Sequence, residues 1–174
     1  MQRNLVNKVT ASNVDPLAYD LGTEYEDTLE ANAIAFPLPA SLAGLKVSRR
    51  WRWVKNTSGA AWTRGTVVER VAATAGNGNG KICVTASTPR DLILGVAQND
   101  VPANYGAWIQ FKGLAAVRGG GSVTADDSVK TNGTTGQVDT VTRSTLAHVI
   151  ATLGIALETD GAADSLIMVN LDIP

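Results

Sequence analysis

The side chains that could do chemistry in this sequence are few. There is one histidine, His148, and one cysteine, Cys83. A Ser/His/Asp system needs a histidine that takes the proton from its nucleophile. His148 sits in Leu146-Ala147-His148-Val149-Ile150-Ala151, opposite Ala147, Val149 and Ala151 in strand alternation, and reads as a structural or surface residue. No Gly-x-Ser-x-Gly elbow is present. Cys83 reads as a small packed strand residue. A single Cys cannot form an internal disulfide or a Cys-rich zinc or iron–sulfur cage, and a single His cannot build a multi-His metal centre.

Carboxylates come in pairs at Asp126-Asp127 and Asp160/Asp164. A glycosidase needs two carboxylates at a defined separation across a cleft, usually flanked by aromatic platforms, and no such constellation is evident. Arg118-Gly119-Gly120-Gly121-Ser122 lacks the Gly-Lys-Ser/Thr ending of a phosphate loop and reads as a flexible turn. Gly76-Asn77-Gly78-Asn79-Gly80 lacks the Asp spacing of a calcium loop. The expectation is therefore a protein that is not an enzyme, with no catalytic residue, no cofactor and no metal.

Arg49-Arg50-Trp51-Arg52-Trp53 is the remaining cluster. Interleaved Arg and Trp could stack on and neutralise a nucleic-acid strand. Strand alternation instead puts Trp51 and Trp53 on one face with Val47, and Arg50 and Arg52 on the other. The better reading is structural Trp packing with arginines at a protein interface, since Trp and Arg are enriched at interface hot spots. Net charge gives no support to nucleic acid: 15 Lys+Arg stand against 16 Asp+Glu.

The elements that position these residues are strands. From Lys46 onward, alternation marks Val47–Val54, Ile82–Thr85, Ala107–Phe111 and Leu166–Ile173. Leu92-Ile93-Leu94-Gly95-Val96-Ala97 is a continuous apolar run and should be buried on both faces. Gly- and Asn-rich turns separate them, as in all-β sandwiches and barrels. Leu94-Gly95-Val96-Ala97 recurs as Leu153-Gly154-Ile155-Ala156, and Ile109-Gln110-Phe111 as Val169-Asn170-Leu171. Upstream, Arg64-Gly65-Thr66-Val67-Val68 is set against Asp126-Asp127-Ser128-Val129-Lys130. Residues 62–113 and 123–172 thus read as two copies of one β unit, too few for a solenoid. The repeated Gly should permit a bend or a close backbone approach.

Residues 1–45 differ from the rest. They carry Arg3 and Lys8 against Asp15, Asp20, Glu24, Glu26, Asp27 and Glu30, a net of −4. Residues 46–70 carry seven basic side chains against Glu69, a net of +6. Two solvated faces would explain this; so would one subunit's acidic leader docking on a neighbour's basic strand. Phe36-Pro37-Leu38-Pro39 favours extended backbone. Thr23-Glu24-Tyr25-Glu26 reads as a capping box opening a helix of about ten residues at most. The fold expected is all-β: a compact β-sandwich or β-barrel over 46–174 with two repeated units, preceded by an extended acidic arm over 1–45 with one short helix. The N-terminus has no apolar signal-peptide core and no stretch is long enough to span a bilayer, so a soluble product made in a cytoplasm is expected.

The paired Leu-Gly-Val-Ala and Leu-Gly-Ile-Ala motifs, each followed by a turn and a closing strand, resemble the capsid decoration (cement, head-stabilising) proteins of tailed bacteriophages. The resemblance covers roughly 62–174; residues 1–60 depart from it, because small decoration proteins often have only a brief arm. It implies a β domain on the outer capsid surface of the virion, often trimeric, that clamps major capsid protein subunits at symmetry junctions, with no nucleic-acid or membrane partner. Phe36, Pro37, Leu38, Pro39, Arg49, Arg50, Trp51, Arg52 and Trp53 are the candidate interface. Removal of residues 1–45 is expected to weaken shell binding while the β domain still folds. Alternatives are a tail or baseplate β module, and a carbohydrate-binding module using exposed, coplanar Trp62 or Trp108.

Overall fold

The computed structural model describes residues 22–30, 46–70, 82–85, 93–132, 136–142 and 152–174. They form an all-β molecule of ten strands: β1 (Glu24–Glu30), β2 (Lys46–Asn56), β3 (Val67–Arg70), β4 (Ile82–Thr85), β5 (Ile93–Ala97), β6 (Gly106–Gly120), β7 (Ser128–Thr131), β8 (Val138–Thr140), β9 (Gly154–Ala156) and β10 (Ala163–Asp172).

Four antiparallel strands in the order β1-β2-β6-β10 make a spine. Two three-stranded arches close on it. β4-β3-β5 runs from β2 to β6, with β2–β4 parallel and β5–β6 antiparallel, completing a five-stranded ring. β8-β7-β9 runs from β6 to β10 with the same signs, completing a second. The 15-residue β6 belongs to both rings; it pairs with β2 through Gly106–Lys112 and with β10 through Lys112–Gly120. Closure leaves few unpaired edges, and register shifts at Arg50/Trp51 and Val68/Glu69 supply the local bends that closure requires.

The repeat seen in the sequence is therefore a repeat of topology. Val96 pairs with Gln110 and Ala97 with Ile109; Ile155 pairs with Asn170 and Ala156 with Val169. Thr66 N–H donates to Thr63 and Asp127 N–H to Thr124 in equivalent turns, with Gly65 and Asp126 both at positive φ (83° and 68°). A second turn repeats as well, with Asn104 at φ 69° and Asp164 at φ 66°. The upstream alignment needs one correction: Gly65 corresponds to Asp126, so Val68 matches Val129, one residue from the offset read in sequence. That segment has little apolar signal, and a positive-φ turn position, filled by Gly in one copy and Asp in the other, sets its register. Gly95 and Gly154 allow the close approach expected of them. A Cβ on Gly95 would sit 2.7 Å from the Gln110 carbonyl oxygen, and one on Gly154 would overlap the equivalent Asn170 oxygen.

Each ring has its own apolar filling. Val54, Trp62, Val68, Ala97, Val101, Ala107 and Ile109 pack inside the first. Val123, Val129, Ala156, Ile167 and Val169 pack in the second, and that cluster continues to Val67, Ile93, Val96 and Phe111 of first-ring strands, with Val67 and Val96 on the face opposite Val68 and Ala97. This joins the rings into one core and explains why the run ending in Val96-Ala97 is apolar throughout.

Two expectations fail. The helix expected from Thr23 is strand β1. A ten-residue helix is marginal alone, whereas Glu24–Glu30 finds seven register partners on β2. The Gly119–Gly121 turn is only partly a turn, because β6 continues through Gly120. The Asp160 carboxylate occupies the space where a Gly119 Cβ would lie, and Asn132 and Asp139 occupy that of Gly120.

Candidate functional site

β2 brings the Arg/Trp cluster together, and alternation sorts it in a way the sequence reading only half anticipated. Arg49, Trp51 and Trp53 share one face and are buried. Arg50 and Arg52 lie on the other, over the Phe111 ring at 5.5 Å and 4.6 Å from its centroid. Such cation–aromatic contacts stabilise modestly when exposed and more when desolvated.

β1 lies along this strand with its acids opposite the bases. Glu24 faces Arg52, Glu26 faces Arg50, and Asp27 faces Arg49. Arg52 donates to Glu24 at 2.8 Å, and Ser48 donates to Glu26 at 2.5 Å. Arg50 lies 3.8 Å from Glu26 and 4.0 Å from Glu24 with about half its side chain in water, so these pairs contribute little. The Asp27–Arg49 pair differs in kind. Both side chains are close to nine-tenths buried, Arg49 donates twice to Asp27 at 3.0 Å and 2.5 Å, and Trp51 Nε1 donates to the same carboxylate at 3.1 Å. Beside it Tyr25 stacks on Trp51 at 6.1 Å and meets Trp108 edge-on at 4.6 Å, while Trp108 meets Trp53 at 5.3 Å. β1 is thus an acidic, aromatic strand seated in a basic, aromatic slot.

Next to the slot, an open groove of about 580 Å³ is lined by Glu26, Ser48, Arg50, Lys112, Asn170 and Asp172. Lys112 bonds Asp172 at 2.9 Å across it. Gly113, at φ 86°, lies so close to the Ser48 carbonyl that no side chain fits there. Gln110, buried, donates its amide to the Lys112 and Leu114 carbonyls and so satisfies the backbone around this kink.

Of the paired loop acids, Asp160 and Asp164 are engaged structurally. Asp160 is buried and accepts from Gly121 N–H at 2.5 Å, Ala162 N–H at 3.1 Å and the Ser165 hydroxyl. Asp164 accepts from Gln137 and Arg118. The Gln137 amide holds the Asp164 carboxyl below the usual carboxylate range; desolvation opposes this, and the nearby Arg118 charge adds to it. Trp62 and Trp108 are 1 % and 6 % exposed, so neither offers the open ring face a sugar platform needs. No group of three or more His, Cys, Asp or Glu among the described residues could hold a metal ion.

Of the candidate interface residues, Arg49, Arg50, Trp51, Arg52 and Trp53 are gathered on β2, and Arg50, about half exposed, is the most open of these five to solvent. Phe36, Pro37, Leu38 and Pro39 lie outside the described residues, as does His148. The sequence reading missed Asp27 and Tyr25 as the partners of this strand. Their signal was present in the alternation of Glu24-Tyr25-Glu26-Asp27, read there as a helix cap.

No protein-family model matches the chain, and no curated protein matches it. Among solved structures it is similar to the N base of head fiber gp8.5 in bacteriophage phi29. The TM-score is 0.50 at 12 % identity, and the match covers 70 % of this chain and 94 % of that one. The two proteins share a fold.

Proposed function

We propose that this chain is a structural protein of a bacteriophage head, a decoration protein seated on the capsid exterior. In this reading it binds the major capsid protein at subunit junctions as a homo-oligomer, with a trimer favoured, and stabilises the shell against internal pressure. It does so without catalysis or a cofactor. The observation that carries the reading is the fold shared with a phage head-fiber base. The resemblance of the repeated Leu-Gly-(Val/Ile)-Ala motifs to decoration proteins supports it from the sequence side.

The disposition of side chains suits the role. The buried or paired charged groups, Asp27–Arg49, Asp160 and Arg118–Asp164, tie strands and turns together. Binding to a repeating shell gains from multivalency, since each further contact is effectively intramolecular.

The test is co-sedimentation of the purified chain with phage heads that lack it, followed by thermal challenge of the loaded heads. The reading expects saturable binding at a fixed ratio to the major capsid protein, and a higher temperature of genome release. Binding to tails and not to heads, or binding to neither, would overturn it.

A further inference from the structure

We propose that β1 is exchanged between copies of this chain, so that the acidic strand of one protomer fills the basic, aromatic slot of the next. The inference rests on the oligomeric reading above and names the contact that builds the oligomer.

Both rings close without β1, which among the described residues pairs with β2 alone. β1 is held by side-chain complementarity: Glu24, Glu26 and Asp27 meet Arg52, Arg50 and Arg49, and Tyr25 meets Trp51 and Trp108. Once β1 leaves its own slot, every copy carries one donor strand and one acceptor slot, the head-to-tail arrangement from which closed rings are made.

The connection permits the exchange. Glu30 and Lys46 stand directly opposite at the end of the ladder, about 5 Å apart. Hairpins with such ends close in about 2–5 residues. Here fifteen residues (31–45) intervene. Fully extended they would reach on the order of 50 Å, enough to place β1 on a neighbouring copy. Two of them, Pro37 and Pro39, cannot donate a backbone hydrogen bond to a hairpin ladder.

The slot requires an occupant. With β1 gone, Arg49 would lose Asp27, and Trp51 and Trp108 would lose Tyr25. The contacts made within a chain and between chains are the same, so effective concentration decides between them: the tether favours a chain's own slot in dilute solution, and exchange competes where copies are held side by side in an oligomer.

The test uses the full chain with Cys83, the sole cysteine, replaced by Ala. Thr28 and Ser48 face each other in register and are exposed. The T28C/S48C variant is oxidised and run on a non-reducing denaturing gel, and the T28C and S48C single variants are co-expressed and treated likewise. Should that pair not fold, Glu26→Cys with Arg50→Cys, also facing and exposed, replaces it. Exchange gives covalent multimers as the main species from the double variant and covalent dimers from the mixed single variants. Cysteines that pair only within one chain, or stay reduced, overturn it. Light scattering on the same samples separates the two readings. An oligomer without interchain disulfides overturns exchange alone; a monomer overturns the oligomeric reading as well.

Discussion

Replacing Asp27 with Ala should detach β1 while leaving both rings intact. Asp27 and Arg49 side chains are 11 % and 10 % exposed, and the carboxylate accepts three hydrogen bonds, two from Arg49 and one from Trp51. An exposed pair would contribute about 1 kcal/mol or less. Removing one partner of a buried pair costs about 3–5 kcal/mol, mostly because a charge is left buried without its counterion. The slight solvent access here puts Asp27→Ala near the low end, about 3 kcal/mol, or about 150-fold in the docking equilibrium. Because β1 lies outside both rings, the loss should appear as local opening. Hydrogen exchange read by mass spectrometry should speed by about 100-fold across Glu24–Thr28, with β6 and β10 unchanged within about threefold, and tryptophan emission should shift to the red. Arg49→Met added to Asp27→Ala should restore most of the loss, since replacing both members of a buried pair by apolar groups is close to neutral. Unchanged exchange of β1 in Asp27→Ala would refute this reasoning. So would failure of Arg49→Met to rescue, or opening of β6 and β10 in step with β1.

Three further outcomes follow from the same geometry. Gly154→Ala drives a Cβ into the Asn170 carbonyl and should cost about 1–3 kcal/mol or more in thermal unfolding, whereas Gly161→Ala, with open space around it, should stay within about 0.5 kcal/mol. Asp160→Ala strands the Gly121 and Ala162 N–H groups and should cost about 3 kcal/mol, with the loss concentrated in exchange of the 160–165 turn. Asp164 titrates below the ordinary carboxylate value, mainly through Gln137 and then Arg118. Its contribution is therefore present above that ordinary value and lost as pH falls through the lower native one. Asp164→Asn, which tolerates the same positive φ, should flatten that part of the acid limb of a stability–pH curve; an unaltered limb would show that the Gln137–Asp164–Arg118 contact has no energetic weight.

Much of the fold was legible because strand alternation is local. The faces of β2, β6 and β10 could be read from Trp51/Trp53, Ile109/Phe111 and Ile167/Val169/Leu171, and the repeat was visible wherever it is apolar. The register upstream of Val68 and Val129 was not, because positive-φ turns carry it and they accept Gly in one copy and Asp in the other. β1 was misread for a related reason. The Thr23–Glu26 spacing satisfies a local rule for a helix cap, but the strand wins through partners 16 to 28 residues away on β2. Sequence showed that an acidic stretch precedes a basic one. Alternation alone puts Arg49 on the tryptophan face; what it did not show is Asp27 closing over it, because that depends on which strand lies alongside.

The central claim, that this is a structural protein on the outside of a phage head, is tested most directly by an electron cryomicroscopy reconstruction of genome-filled heads assembled with and without the chain. The account predicts additional density on the outer surface at junctions of the major capsid protein, into which the two rings joined by β6 fit as one body. Identical heads in the two preparations, or the extra density confined to the tail or to the interior of the shell, would contradict it.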